Sequence, residues 1–178
     1  MKPNTARVFF TGIFSVFFIY KVPAQIRYRT RYDIALSAEA GGISPFISAN
    51  FEFVPFKSSH SFVVVRAGAG FKATSSSKLV SVPLSLTHNF SINKPKRDCD
   101  AAPQKVFREL FLETGLGITY VSSLEQRPLI YLAPILGIRK QFVKWGKSEV
   151  FFYKIHLTPI YVENHFRFGA GLSLGHSI

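Results

Sequence analysis

Apolar side chains alternate with small or polar ones along most of the chain, and the pattern runs to its last residues. In FRFGAGLSLGHSI, Phe166, Phe168, Ala170, Leu172 and Leu174 fall on one face, and Arg167, Gly169, Gly171, Ser173 and Gly175 on the other. A period of two belongs to a strand with one greasy face. Eight such segments are predicted: Ile34–Gly41, Pro45–Phe53, Ser61–Ala73, Leu79–Ile92, Arg108–Val121, Pro128–Gln141, Glu149–Ile160 and His165–Ser177. The breaks between them carry Gly41-Gly42, Ser58-Ser59, Ser75-Ser76, Ser122-Ser123, Gly146 and Asn164. These residue types make turns through tolerance of positive φ and local side-chain hydrogen bonds. Asn93 to Phe107 is the exception, long and strongly basic. No helical stripe competes, and no Gly/Ser linker marks a second domain.

The two faces differ consistently in chemistry. In the third segment Val63, Val65, Ala67, Ala69 and Phe71 oppose Arg66, Gly68 and Gly70. In the fifth, Leu110, Leu112, Leu116, Ile118 and Tyr120 oppose Glu113, Gly115, Gly117 and Thr119. Most segments run 9–14 residues, long enough for the ~9–11 that cross a bilayer as a tilted strand. Two all-β folds fit: a lipocalin-like barrel with its apolar face inward around a ligand, and a membrane barrel with that face outward to lipid. The minority face decides. An eight-stranded barrel has an interior only just wide enough for side chains, so glycines there relieve crowding, whereas on a solvent-facing exterior they would only weaken the strands. The expected fold is therefore all-β, an eight-stranded antiparallel, up-and-down transmembrane β-barrel. Its lumen is expected to hold Glu39, Glu52, Glu113, Arg66, Arg139, Lys154 and Arg167 as a neutralising charge network. Such a plug argues against a wide pore. On this reading Glu113→Ala destabilises the barrel more than Glu125→Ala, because an abandoned buried charge is costly.

The N-terminus changes the expected location. Lys2 and Arg7 precede an uncharged apolar run, Val8 to Tyr20, and Val22-Pro23-Ala24 supplies small residues before Gln25. That is the layout of a cleavable secretion signal, and the run is shorter than the ~17–25 residues a spanning helix needs. Residues 1–24 are read as signal and 25–178 as the barrel domain.

The formal net charge is +12. Lys94, Lys96, Arg97, Lys105 and Arg108 gather around one loop, and Lys140, Lys144 and Lys147 around another. No nucleic-acid fold or stacking motif accompanies them, so anionic lipid headgroups or periplasmic partners are the expected contacts, against a solvated basic face of no function. Cys99, the one cysteine, excludes an intramolecular disulfide and any multi-cysteine metal site. The five histidines show no metal-ligand spacing, and the one G-x-S-x-G match, Gly171 to Gly175, lies like the glycine pairs within a strand rather than before a helix. His156 reads as lumen packing. No catalytic, cofactor-binding or metal residue is predicted, and no cofactor.

The segments RAGAGF (Arg66–Phe71), SVPLSLTHNF (Ser81–Phe90), ELFLETGLGITY (Glu109–Tyr120), LAPILGIRKQ (Leu132–Gln141), HLTPIY (His156–Tyr161) and GLSLGHSI (Gly171–Ile178) carry a resemblance. Together they resemble small outer-membrane β-barrel proteins of the Bacteroidetes type, related in form to the OmpX and OmpA barrels. The resemblance implies an eight-stranded barrel without an established activity, and so carries over no functional residue. Two positions depart from it: the end is Ile178 where an aromatic residue is usual, and His176 stands where tyrosine is expected. The resulting expectation is an exported, integral outer-membrane barrel with a structural or interaction role, no catalysis and at most narrow solute passage. Its partners would be outer-membrane lipids and, during insertion, the barrel-assembly machinery. The alternatives are a secreted lipocalin-like carrier and a lipid-modifying barrel enzyme. Pro83, Pro134 and Pro159 sit awkwardly in any closed barrel, since each lacks a donor for its ladder.

Overall fold

Alternation becomes a closed wall. In the computed structural model, which describes residues 32–44, 46–74, 77–93, 106–123, 128–144, 149–162 and 165–178, eight strands pair in chain order. They are β1 (Ile34–Gly41), β2 (Ile47–Lys57), β3 (Ser61–Thr74), β4 (Ser77–Ser91), β5 (Val106–Ser123), β6 (Leu129–Lys144), β7 (Val150–Val162) and β8 (His165–Ser177). Each is antiparallel to its neighbours. β8 returns to β1, from Ala35↔Ser177 to Gly41↔Gly171, and closes the barrel. Closure leaves no edge strand, since each of the eight pairs on both sides.

The parity reads apolar out, polar in. Leu36, Phe51, Leu86, Leu116, Ile155 and Leu172 are exposed on the outer face, while Glu39, Glu52, Arg66, Glu113, Arg139 and Lys154 are buried inside. This is the inverse of a lipocalin-like carrier, whose apolar face would line the interior. Phe53, Phe56, Phe90, Phe142, Phe151 and Tyr153 ring the outer wall toward the end where the chain enters and leaves. Phe71, Tyr120 and Phe168 stand toward the opposite, turn-bearing end, all three exposed. Aromatic girdles flanking an apolar band are the outer surface of a transmembrane barrel.

β1 and β8 keep their predicted bounds, while the others differ at their ends. The largest shift is in β2, expected as Pro45–Phe53 and observed as Ile47–Lys57. It runs through Pro55 because the β2–β3 register shifts between Phe53 and Phe56, and a bulge tolerates a residue without an N–H. Pro83 pairs with Thr119 of β5, but the β3–β4 ladder is interrupted between Ala67↔Leu84 and Gly70↔Ser81, the stretch that contains it. The β6–β7 ladder ends at Leu136↔Leu157 although both strands continue. Two residues further, the same register would set Pro134 against Pro159. Two donorless residues cannot hold that pair together, so the β5–β6 and β7–β8 hairpins part toward the turn end.

Candidate functional site

The candidate site is the lumen, and it is filled in three layers. At the terminal end Tyr32, Val54, Phe62, Phe111, Val143 and Phe152 form a buried apolar cluster. Phe62 and Phe111 meet edge to face at 5.0 Å, and Tyr32 stacks on Phe152 at 6.0 Å. These arrangements suit the ring quadrupole. The guanidinium of Arg139 covers this plug, 3.7 Å from the Phe152 ring centre, and donates to the Tyr32 hydroxyl.

Above it lies the charged layer. Glu52 from β2 accepts from Arg139 of β6 at 2.9 Å, from Lys154 of β7 at 2.6 Å and from Ser37 of β1 at 3.2 Å. Glu39 from β1 pairs with Arg66 of β3 and accepts from Ser173 of β8 at 2.9 Å. His156 Nε2 stands 3.7 Å from Glu39 Oε1, and Arg66 also donates to Ser85 at 3.1 Å. Glu113 is buried in the same lumen, but its Oε2 has no hydrogen-bond partner. Three carboxylates thus face three permanent cations in a space closed to water, where unlike charges attract strongly and a stranded charge is expensive.

Arg167 departs from the expectation that it joins this network. It shares the inward parity of β8, but its side chain is exposed beside the turn to β7, above the charged layer. Parity assigns a face and not a height.

The turn end is closed by a device the sequence reading missed. The connection between β1 and β2, expected only as a Gly41-Gly42 break, folds inward, and Ile43 and Ser44 are wholly buried. Gly41 and Gly42 have φ of 73° and 81°, values that side chains other than glycine seldom adopt. Thr119 and Tyr131 both donate to the Ile43 carbonyl, at 2.8 and 2.6 Å, and Ser44 bonds Ser81 at 2.9 Å. Ile43 packs on Ala133 and Ile135. A Cβ on Gly117 would sit 2.8 Å from Ile43, and one on Gly70 2.4 Å from the Ser44 hydroxyl. The signal was present as an isoleucine between two turn glycines and a serine, with glycines on the strands that receive it. Nothing in the alternation told that this turn points in.

The other histidines with described side chains, His60, His88 and His176, do not converge. His60 contacts Ser59 at 2.6 Å on an exposed loop, His88 packs on the Phe90 ring, and His176 lies on the outer wall. Among the described residues no group of three His, Cys, Asp or Glu side chains is placed to hold a metal ion. Residues 1–24, expected as a signal, Cys99, Glu125 and the basic residues Lys94, Lys96, Arg97, Lys105 and Lys147 lie outside the described residues. Among the described residues so filled a lumen offers side-chain packing and charge pairing.

No protein-family model and no curated protein matches the chain. Among solved structures it is similar to Neisserial surface protein A, with a TM-score of 0.53, 12% identity, 82% of this chain covered and 93% of that one. The N-terminal β-barrel domain of Pseudomonas aeruginosa OprF follows with a TM-score of 0.46 and 14% identity, covering 82% of this chain and 96% of that one. Ail, the attachment invasion locus protein of Yersinia pestis, has a TM-score of 0.40 and 12% identity, covering 81% and 93%. The first of these establishes a shared fold.

Proposed function

We propose that this chain is a small integral outer-membrane β-barrel, exported by its N-terminal signal, with a structural or interaction role and no catalysis. The observation that carries this reading is the inversion of polarity: an apolar outer wall between aromatic girdles encloses a buried layer of paired charges. A soluble protein would expose the charges and bury the leucines, whereas a lipid-facing barrel does the reverse. The proposed contacts are outer-membrane lipids and, during insertion, the barrel-assembly machinery, with no nucleic acid and no cofactor. The Bacteroidetes-type motif set belongs to the same proposal. Sealing follows from the three layers. In proteoliposomes containing the refolded barrel, arabinose-sized sugars are expected to enter no faster than in protein-free vesicles. Osmotic swelling at porin-like rates would refute the sealed lumen.

A further inference from the structure

The outer wall at the terminal end carries positive charge where a lipid-facing surface should carry none. Arg108 on β5 is exposed and lies opposite Phe142 of β6. Phe142 lies opposite Phe151 of β7, and Phe151 opposite His176 of β8. One step along, Lys140 lies opposite Tyr153, and Tyr153 opposite Leu174. Even parity on β5, β6 and β8 and odd parity on β7 send all these side chains outward. The Lys140 ammonium rests between two rings, 5.6 Å from the centre of Phe142 and 5.8 Å from that of Tyr153. The rings themselves form a continuous tilted surface, with Phe142 at 6.2 Å from Phe151 and 6.0 Å from Tyr153.

This surface runs into an apolar groove across the closing seam. Ala38 and the backbone at Ser37 and Gly175, whose side-chain positions face the lumen, form its floor; Leu36, Leu174 and Phe151 are its larger apolar residues, and His176 lies at one side. The described acids of β5, Glu109 and Glu113, point inward; the exposed acids described at this end are Glu149, just before β7, and Asp33, just before β1, which pairs with Lys57.

We propose that this patch is a binding site for a phospholipid of net negative headgroup, with its phosphate held by Arg108, Lys140 and the Tyr153 hydroxyl and an acyl chain lying in the Leu36–Leu174 groove. The chemistry is complementary at both ends. A guanidinium and an ammonium at the headgroup level attract phosphate; a ring surface carries the glycerol region, where amphipathic aromatics favour the interface; and the groove floor admits methylenes that Leu36, Leu174 and Phe151 flank. A soluble anionic partner would find the cations but have no use for the groove. The site rests on the membrane-barrel reading and deepens it by naming one lipid class.

The test is native mass spectrometry of the full, heat-modifiable barrel released from micelles supplied with equal phosphatidylglycerol and phosphatidylethanolamine of identical acyl chains. Phosphatidylglycerol adducts are expected to dominate. Arg108→Gln and Lys140→Gln are each expected to reduce that preference about fivefold, the worth of one basic side chain near an anionic surface. Lys72→Gln, an exposed lysine toward the opposite end, is expected to leave the preference unchanged. Because both altered side chains lie on the outer wall, each variant should keep its heat shift. A single variant suffices if the pair together fails to fold. Equal adducts of the two lipids on the wild-type barrel, or a preference indifferent to Arg108 and Lys140, would overturn the site while leaving the barrel reading intact. A chain that stays soluble without detergent and shows no heat shift would instead overturn the barrel reading itself.

Discussion

Glu52 holds two cations at once, Arg139 at 2.9 Å and Lys154 at 2.6 Å, and all three side chains are buried. Removing it strands both, so Glu52→Ala should cost about 3–5 kcal/mol, read as a lower urea midpoint of the folded form in detergent. Glu113→Ala should cost less than Glu52→Ala, because Glu113 Oε2 has no partner to abandon. Equal midpoints for the two variants would contradict the pairing. Phe152 closes the plug beneath Arg139 and should cost about 3–5 kcal/mol on truncation to alanine, by the same measurement. At this scale the sequence told which side chains turn inward, since strand parity is a backbone property that composition reveals. It could not tell who meets whom. Glu39 and Arg66 are far apart in the chain and come together through register, and Arg167 fails to join them because its height along β8 places it outside the sealed layer.

Strand existence was legible because each wall segment must alternate to satisfy lipid and lumen together. Strand ends were less so, since β2, β5 and β6 continue past their expected last residues, Phe53, Val121 and Gln141, carried by pairing with their neighbours. The prolines act at this scale. Pro134 and Pro159 lie beyond the last β6–β7 pair, Leu136↔Leu157, and two missing donors explain why the ladder stops there. Replacing both with valine should let the ladder extend, each recovered hydrogen bond adding about 1 kcal/mol. Hydrogen exchange checks this: amides in 129–135 and 158–162 that face across the gap should exchange more slowly in the double variant. Unchanged exchange would mean that something other than proline parts the hairpins.

The in-turned β1–β2 connection links element to whole. Ile43 seals the turn end because Gly41 and Gly42 permit the bend and Gly70 and Gly117 leave room for it. Ile43→Ala should cost about 2–5 kcal/mol through the cavity it leaves, measured again by urea midpoint, and Gly117→Val should displace the turn and lower the midpoint likewise. Across the whole molecule, fold class and strand order were readable from a period of two repeated eight times, and the polar, glycine-rich minority face correctly chose the interior. The closure of both mouths was not, since an aromatic plug and an inward turn arise from residues that look ordinary until the barrel gathers them.

The central claim, a closed barrel with lipid on its outside, is tested most directly by heat-modifiability in fractionated cells. Unboiled protein from the outer-membrane fraction is expected to migrate differently from the boiled protein on a detergent gel, because the closed ladder resists detergent until heated. Protein recovered wholly in the soluble periplasmic fraction, with one mobility before and after boiling, would contradict the account.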